Sequence, residues 1–298
     1  MRITNGDLLA TLESTIKRLS RLLLVLAAAN IAVAAASPLG PDGTPGRSIP
    51  GKFIWYDLAT ENPEGARAFY GVVFGWKFRE VPGAPAAYTL IENASGKVGG
   101  LFKQSRPQGA TVGSRWLSLM SVRDVDKAAA LVKTRGGEVL LAPRAVAGRG
   151  VHAVFRDPEG AVFGVLANEG GDPPDTAVDD GEVFWLDLFS HDPGKASAFY
   201  AALAGYDVNV GEVAGRRRML LATDGVARAG VARLPASADK PGWLPYVLVS
   251  DVPSTLARAR AAGGKVVMEP RPDLLGGNLA VIADPSGGWV GIVNWIAP

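Results

Sequence analysis

The sequence repeats itself once at long range, and this constrains the fold more than any motif it carries. Phe53-Ile54-Trp55-Tyr56-Asp57-Leu58 matches Val183-Phe184-Trp185-Leu186-Asp187-Leu188. Asn62-Pro63 matches Asp192-Pro193, and Ala68-Phe69-Tyr70 matches Ala198-Phe199-Tyr200, all at an offset of 130. Further on, Trp116-Leu117 matches Trp243-Leu244, Asp124-Val125 matches Asp251-Val252, Gly136-Gly137 matches Gly263-Gly264 and Asp157-Pro158 matches Asp284-Pro285, at an offset of 127. The second copy has therefore lost three residues between Tyr70 and Trp116. Solenoid units run to about 50 residues, so copies this long are domains.

Each copy has the same grammar. A strand at Phe53–Ala59 leads to a helix that Asn62 caps, Pro63 opens and Gly75 stops. Ala66, Phe69, Tyr70 and Val73 fall at i, i+3, i+4 and i+7, which makes one buried face. Short strands are expected around Ala87–Glu92 and Lys97–Lys103. A new strand, Trp116–Val122, leads into a helix from about Asp126 to Arg135 that ends at Gly136-Gly137. Strands follow near Glu138–Leu141, His152–Arg156 and Val162–Ala167. Each copy is thus two βαβββ modules.

Lys17, Arg18 and Arg21 precede an uncharged run from Leu22 to Ala36, followed by Ser37-Pro38. A basic flank, an apolar core of about 15 residues and small residues at Ala34 and Ala36 mark a secretory signal peptide. The run is short for a span, which needs about 20 residues. An uncleaved anchor over residues 22–39 is the alternative. The expected divisions are signal or anchor 1–36, Pro/Gly-rich linker 37–50, first domain 51–169, linker 170–181 and second domain 182–298. Of 31 basic and 29 acidic residues, four and two lie in 1–36, so the body is charge-balanced. Nothing there calls for nucleic acid as a partner. Membrane contact is expected only through the N-terminal segment, and the oligomeric state is left open. With no cysteine, thiolate metal sites and a cysteine nucleophile are excluded.

The stretches WYDLATENPEGARAFYGVVFGW, VRDVDKAAALVKTRGGEV and FRDPEGAVFGVL, echoed by WLDLFSHDPGKASAFYAALAGY, VSDVPSTLARARAAGGKV and IADPSGGWVGIV, resemble the vicinal-oxygen-chelate superfamily of glyoxalases, bleomycin-resistance proteins and extradiol dioxygenases. The resemblance covers about residues 51–296. It implies an α+β fold of two tandem glyoxalase-like domains, each a cupped mixed sheet with helices outside. In metal-using members, His, Gln or Glu residues on the first and last strands of each module converge in the cup. Matched motif by motif, those positions hold Trp55, Leu117 and Gly164 in the first copy, Trp185, Leu244 and Gly291 in the second, and glycines near Gly99-Gly100 and Gly230. None supplies the oxygen or nitrogen donors a divalent ion needs. No metal and no cofactor are expected, and no catalytic residue is assigned.

The candidate ligand-binding residues are Trp55, Asp57, Trp116, His152, Trp185, Asp187 and Trp243. Asp57 and Asp187 each lie two residues beyond a Trp on a strand, so Trp and Asp share a face. A carboxylate on an apolar strand is costly to bury unpaired, which points to a ligand contact or to a structural partner such as an Arg. Trp116 and Trp243 are read as core or pocket wall. His152 is a base only with a partner and a pocket; otherwise it is an ordinary strand residue. His191 is a turn residue, and Arg216-Arg217-Arg218 is read as a solvated hairpin tip. The leading expectation is an exported, metal-free protein that binds a small apolar or planar ligand in aromatic cups. A glyoxalase-type lyase or a dioxygenase is the alternative, and an interaction platform is the third reading.

Overall fold

The computed structural model describes residues 46–82, 88–104, 113–146, 148–213, 216–235, 238 and 240–295. The N-terminal run expected to direct export lies outside them. Among the described residues, no helix is long and apolar enough to cross a membrane.

The first domain runs β1 (Phe53–Thr60), α1 (Pro63–Phe74), β2 (Lys77–Glu80), β3 (Thr89–Glu92), β4 (Lys97–Lys103), β5 (Arg115–Ser121), α2 (Val125–Thr134), β6 (Glu138–Val146), β7 (Gly150–Arg156) and β8 (Val162–Asn168). The second repeats it as β9 (Val183–Ser190), α3 (Pro193–Ala204), β10 (Asp207–Val213), β11 (Arg216–Thr223), β12 (Val226–Arg233), β13 (Gly242–Leu248), α4 (Val252–Ala261), β14 (Lys265–Met268), β15 (Leu279–Ala283) and β16 (Trp289–Val293). Each domain makes one eight-stranded sheet, in the orders β2-β3-β4-β1-β5-β8-β7-β6 and β10-β11-β12-β9-β13-β16-β15-β14. The two modules of each sheet meet along an antiparallel seam, β1 with β5 and β9 with β13. The strand before each helix also pairs in parallel with the last strand of its module. This is the mixed sheet of βαβββ modules that the repeat predicts.

The predicted caps form at Asn62 and Asp192, and Gly75 and Gly205 stop α1 and α3 in the left-handed conformation; Asp124 and Asp251 cap α2 and α4 in the same way, each side chain accepting a first-turn backbone N–H. Asp57 pairs with Gly100 and Asp187 with Gly230, so the two copies are still 130 apart at that register. At Trp116 and Trp243 they are 127 apart. The three-residue deletion therefore falls in the connection between the fourth and fifth strands.

The helices lie outside each cup, with one face exposed and the other buried between the two sheets. The helix-bearing faces of the two sheets are packed against each other. One core cluster joins Phe53, Met120, Phe155 and Phe163 of the first domain to Leu188, Phe199, Tyr200 and Val231 of the second. The other joins Leu58, Phe69, Tyr70 and Trp76 to Val247, Leu256, Ile282 and Ile292. The Phe163 ring sits 5.1 Å from that of Tyr200, and the Phe53 ring 4.9 Å from that of Trp243.

Two reciprocal clamps lock this arrangement. Tyr70, fully buried on α1, donates to Asp284 Oδ2 at 3.1 Å, and Trp116 Nε1 donates to the Tyr70 hydroxyl at 3.0 Å. Tyr200 on α3 does the same to Asp157, at 3.1 Å, and receives Trp243 Nε1 at 3.0 Å. Each aspartate's other oxygen accepts two backbone N–H groups of its own Asp-Pro turn. The turn that closes each domain is thus held by a tyrosine of the other. Glu159, in the first turn, also accepts from Ser190 Oγ and from the backbone N–H of His191 and Asp192, just ahead of α3.

Candidate functional site

Strand alternation assigns each face. On β1, Tyr56 and Leu58 face the helices, while Trp55 and Asp57 face the helix-free side, the inside of the cup. Trp116 and Trp243 are one residue out of step with Leu117 and Leu244, so they point to the helix side. Their indole N–H groups are taken by Tyr70 and Tyr200. As candidate ligand contacts they need correcting, because they belong to the interdomain clamps and neither cup contains them.

Asp57 and Asp187 are buried, 4% and 2% exposed, and each is surrounded by donors. Asp57 Oδ1 receives the Tyr88 hydroxyl at 2.6 Å and Trp55 Nε1 at 2.8 Å, while Oδ2 receives Arg149 at 3.0 Å. The Arg149 guanidinium also lies 5.1 Å over the Trp55 ring. Asp187 accepts Trp185 Nε1 at 3.1 Å and the Tyr246 hydroxyl, with Arg218 at 3.4 Å. Both cups hold a Trp–Asp–Tyr–Arg quartet, so the paired-carboxylate reading is the one realised. Burial pushes the Asp187 carboxyl above the usual range, against the pull of Arg218, Trp185 and Tyr246.

The partners come from different places in the two copies. Position 88 holds Tyr and its repeat equivalent, 218, holds Arg; both lie opposite the Asp-facing glycine strand. The first cup takes its Arg from the turn between β6 and β7. The second takes its Tyr from β13, where the first has Leu119. The reading of Arg216-Arg217-Arg218 as wholly solvated is therefore corrected. Arg216 and Arg217 are exposed, but Arg218 alternates inward and is buried.

The four last-strand positions that carry ligands in metal-using proteins of this fold are glycines, and neighbours fill their places. A Cβ on Gly100 would overlap the Tyr88 hydroxyl, and one on Gly164 would overlap Leu119. One on Gly230 would overlap the Asp187 carboxylate, and one on Gly291 the Tyr246 ring. Among the described residues, no three His, Cys, Asp or Glu side chains gather to hold an ion. The residues present do not fit the family's metal.

The two cups have diverged. The second is lined by Phe184, Trp185, Tyr246, Leu275, Leu279, Val293 and Trp295 and retains a cavity of about 20 Å³, room for roughly one water. In the first, His152 takes the place of Leu279 and faces the cup from β7, 5% exposed. Its Nδ1 has no hydrogen-bond partner, and neither has Arg149 Nε, although both atoms are buried. His152 is thus neither a satisfied strand residue nor a solvated one. Burial, then Arg149 and Arg144, hold its imidazole down at about 4, against Asp57.

A pH prediction follows. The folded-state value lies below the ordinary 6.5, so the unfolded chain binds the proton first as pH falls. Stability is constant through this group above pH 6.5 and drops between 6.5 and 4, by on the order of 3 kcal/mol. His152→Leu, which copies the second cup, should flatten the urea midpoint over that window. An unchanged slope would show that His152 stays neutral in neither state.

A third space of about 360 Å³ lies between the domains under the linker, lined by Phe53, Tyr56, Trp185, Lys52, Asp175 and Arg228 among others. Its charges satisfy one another: Arg228 forks onto both Asp175 oxygens and Lys52 reaches Asp175 at 2.9 Å. They hold the Asp175 carboxyl down at about 2, the Arg228 hydrogen bond being the largest pull. His191 stays at the surface, tied by its backbone to Glu159 and Arg233.

Comparison with known proteins agrees with the geometry. The model of the Glyoxalase/Bleomycin resistance protein/Dioxygenase superfamily matches residues 52–165, and that of a glyoxalase-like domain matches 184–292. The chain is 30% identical over 238 residues to "Putative glyoxylase CFP32" of Mycobacterium tuberculosis, covering 78% of this chain and 90% of that protein. It is 29% identical over 276 residues to the anthracycline biosynthesis protein DauV of Streptomyces sp. (strain C5), covering 83% and 94%. Among solved structures, the Mn(II)-bound glyoxalase from Novosphingobium aromaticivorans superposes with a TM-score of 0.57 at 18% identity over 83% of each chain. The 2,2',3-trihydroxybiphenyl 1,2-dioxygenase from Sphingomonas wittichii gives 0.54 at 14% identity, over 83% and 91%. Repeat, module order, sheet topology and relatives converge, and the chain belongs to the glyoxalase/bleomycin resistance protein/dioxygenase superfamily.

Proposed function

We propose that this chain is a metal-independent small-molecule binder whose site is the helix-free cup of the first domain. One observation carries the reading: His152 Nδ1 and Arg149 Nε lie buried and unpartnered beside the Trp55 indole. Buried polar groups ordinarily have partners, and a vacant donor or acceptor costs about 1–3 kcal/mol, so a ligand that satisfies them is favoured. In the second cup Arg218 Nε is also buried without a partner, but Leu279 stands where the first cup has His152, which suits a supporting role. Names among the relatives, a glyoxylase and anthracycline biosynthesis proteins, are compatible with small organic ligands.

The test is the composition of the protein purified from its own host. Native mass spectrometry should show one organic molecule per chain, lost in His152→Leu, and elemental analysis should show no stoichiometric transition metal. Stoichiometric Mn, Fe, Ni or Zn, with turnover of the methylglyoxal–glutathione hemithioacetal or of a catechol, would replace this reading with the enzymatic one. We also propose export, on the basic flank and the apolar run of residues 22–36. N-terminal sequencing of the mature protein should then begin at Ser37, while a start at Met1 in a membrane fraction would indicate an anchor.

A further inference from the structure

The second cup is closed by a side chain held where side chains rarely sit. Leu275, in the turn between β14 and β15, has a φ of +49°. That left-handed conformation crowds Cβ against the following carbonyl, so few residues other than Gly, Asn and Asp keep it. At the offset of 127 the first copy has Gly148, with a φ of +70°. The repeat thus offers an unstrained residue for this place, and the second domain carries a leucine instead. Among the described residues, the other non-glycine position with positive φ is Asp224, whose type tolerates it.

Strain that persists in a fold points to the task of the side chain that bears it. Leu275 is half-buried and lines the cavity of about 20 Å³ with Phe184, Trp185, Tyr246, Leu279 and Trp295. The turn around it is lightly held. Gly277 donates to the Leu274 carbonyl at 3.0 Å and Asn278 to that of Leu275 at 3.1 Å, while the ion pair of Asp273 with Arg216 on β11 is exposed. Gly276 and Gly277, next in the chain, leave the backbone free to reorient. Turning Leu275 outward relieves its strain and opens the aromatic wall behind it.

We propose that Leu275 is a removable plug, and that the second cup behind it is a further binding site for a small neutral aromatic molecule carrying a hydrogen-bond acceptor. The supporting role of this cup is that of its closed state. Phe184, Trp185, Tyr246 and Trp295 supply the aromatic surface, the Phe184 and Trp295 rings lying 5.2 Å apart. Arg218 and Asp187 answer each other's charge at 3.4 Å, so the wall calls for no ion. Arg218 Nε, buried and without a partner, keeps an N–H to donate, and a carbonyl oxygen on the guest would accept it.

Acetophenone supplies a ring and an acceptor, and α-methylstyrene has nearly the same shape without the acceptor. Both are titrated by calorimetry into the whole chain carrying His152→Leu, so that the first cup does not contribute. Adding Leu275→Gly should tighten acetophenone by about ten-fold or more, since the closed state no longer competes, and α-methylstyrene by less. The urea midpoint should stay near the parent's. Leu275→Ala keeps the strain, shortens the plug and should fall between. In the unsubstituted chain, millimolar acetophenone should speed hydrogen exchange at the Gly277 and Asn278 amides, because the guest holds the turn open. Unchanged affinity in both Leu275 variants, or turn amides that acetophenone slows or leaves alone, overturns the plug. A collapsed urea midpoint in Leu275→Gly makes the residue ordinary core and overturns it too. Equal gains for the two probes overturn the role given to Arg218 and the acceptor with it.

Discussion

Asp57→Ala should destabilise the chain by about 3–5 kcal/mol, measured by urea unfolding at pH 7. The substitution strands the Arg149 guanidinium, which is 4% exposed, with no counter-charge, leaves the Tyr88 hydroxyl without its acceptor, and leaves the Trp55 N–H with the Tyr88 oxygen alone. The price is the unpaired buried cation, not the worth of the ion pair itself. Asp57→Leu combined with Arg149→Met should therefore regain most of the loss. A single variant within 1 kcal/mol of the parent, on the scale of an exposed pair, would mean that the quartet contributes little. A double variant as unstable as the single would mean that the carboxylate acts through some other partner. Asp187→Ala should cost less, because its arginine stands farther off, at 3.4 Å, and burial already favours its protonated form.

The second large effect concerns cooperativity. Tyr200→Ala should cost about 3–5 kcal/mol, since it empties a fully buried aromatic site. The loss should be felt in the other domain. The Tyr200 ring packs on Phe163, and its hydroxyl holds Asp157 in the first domain's closing turn. Calorimetry should show a single transition, lower than the parent's. Hydrogen exchange should speed up at the first-domain amides of Glu159 and Ala161, which Asp157 holds at 2.9 Å each. Two separate transitions, with first-domain amides unmoved, would mean that the halves fold independently. Tyr200→Phe tests the polar part alone and should cost about 1–3 kcal/mol, because it leaves Asp157 Oδ2 and Trp243 Nε1 without a partner.

The sequence shows what is repeated and local, and hides what is distant or asymmetric. Caps, Asp-Pro turns and the Trp-x-Asp pairs recur in both copies, and their physics needs only neighbouring residues. The strand β2 leaves no periodic signal because its residues, Lys77-Phe78-Arg79-Glu80, form an exposed edge with only Phe78 turned partly inward. Several strand ends also shifted by a few residues, and β6 runs on to Val146 because its hairpin with β7 continues through two register shifts. The fold-level facing of the helices was hidden by a different cause. An amphipathic helix states that one face is buried and does not say which sheet the outer surface meets.

In the site, Trp55, Asp57, Trp185 and Asp187 were found where the periodicity puts them. Their partners Tyr88, Arg149, Arg218 and Tyr246 were not, since no two of these occupy equivalent positions with the same identity. Arg218 was masked by its two arginine neighbours, although alternation on a strand turns only some of a run outward. Trp116 and Trp243 were within reach: once Leu117 is placed in the cup, the residue before it must face away.

The interleaved core also sets a timetable for the nascent chain. The helix-bearing face of the first sheet is covered by residues as late as Ile282, Val290 and Ile292 of the last strands. At about 5–20 residues per second, the second domain takes on the order of ten seconds to emerge. Throughout that interval Leu58, Phe69 and Trp76 have no lasting cover, so the first half waits as an incomplete, sticky intermediate. Conditions that slow elongation or deplete holding chaperones should therefore lower soluble yield through the first half, long before the finished molecule is at risk.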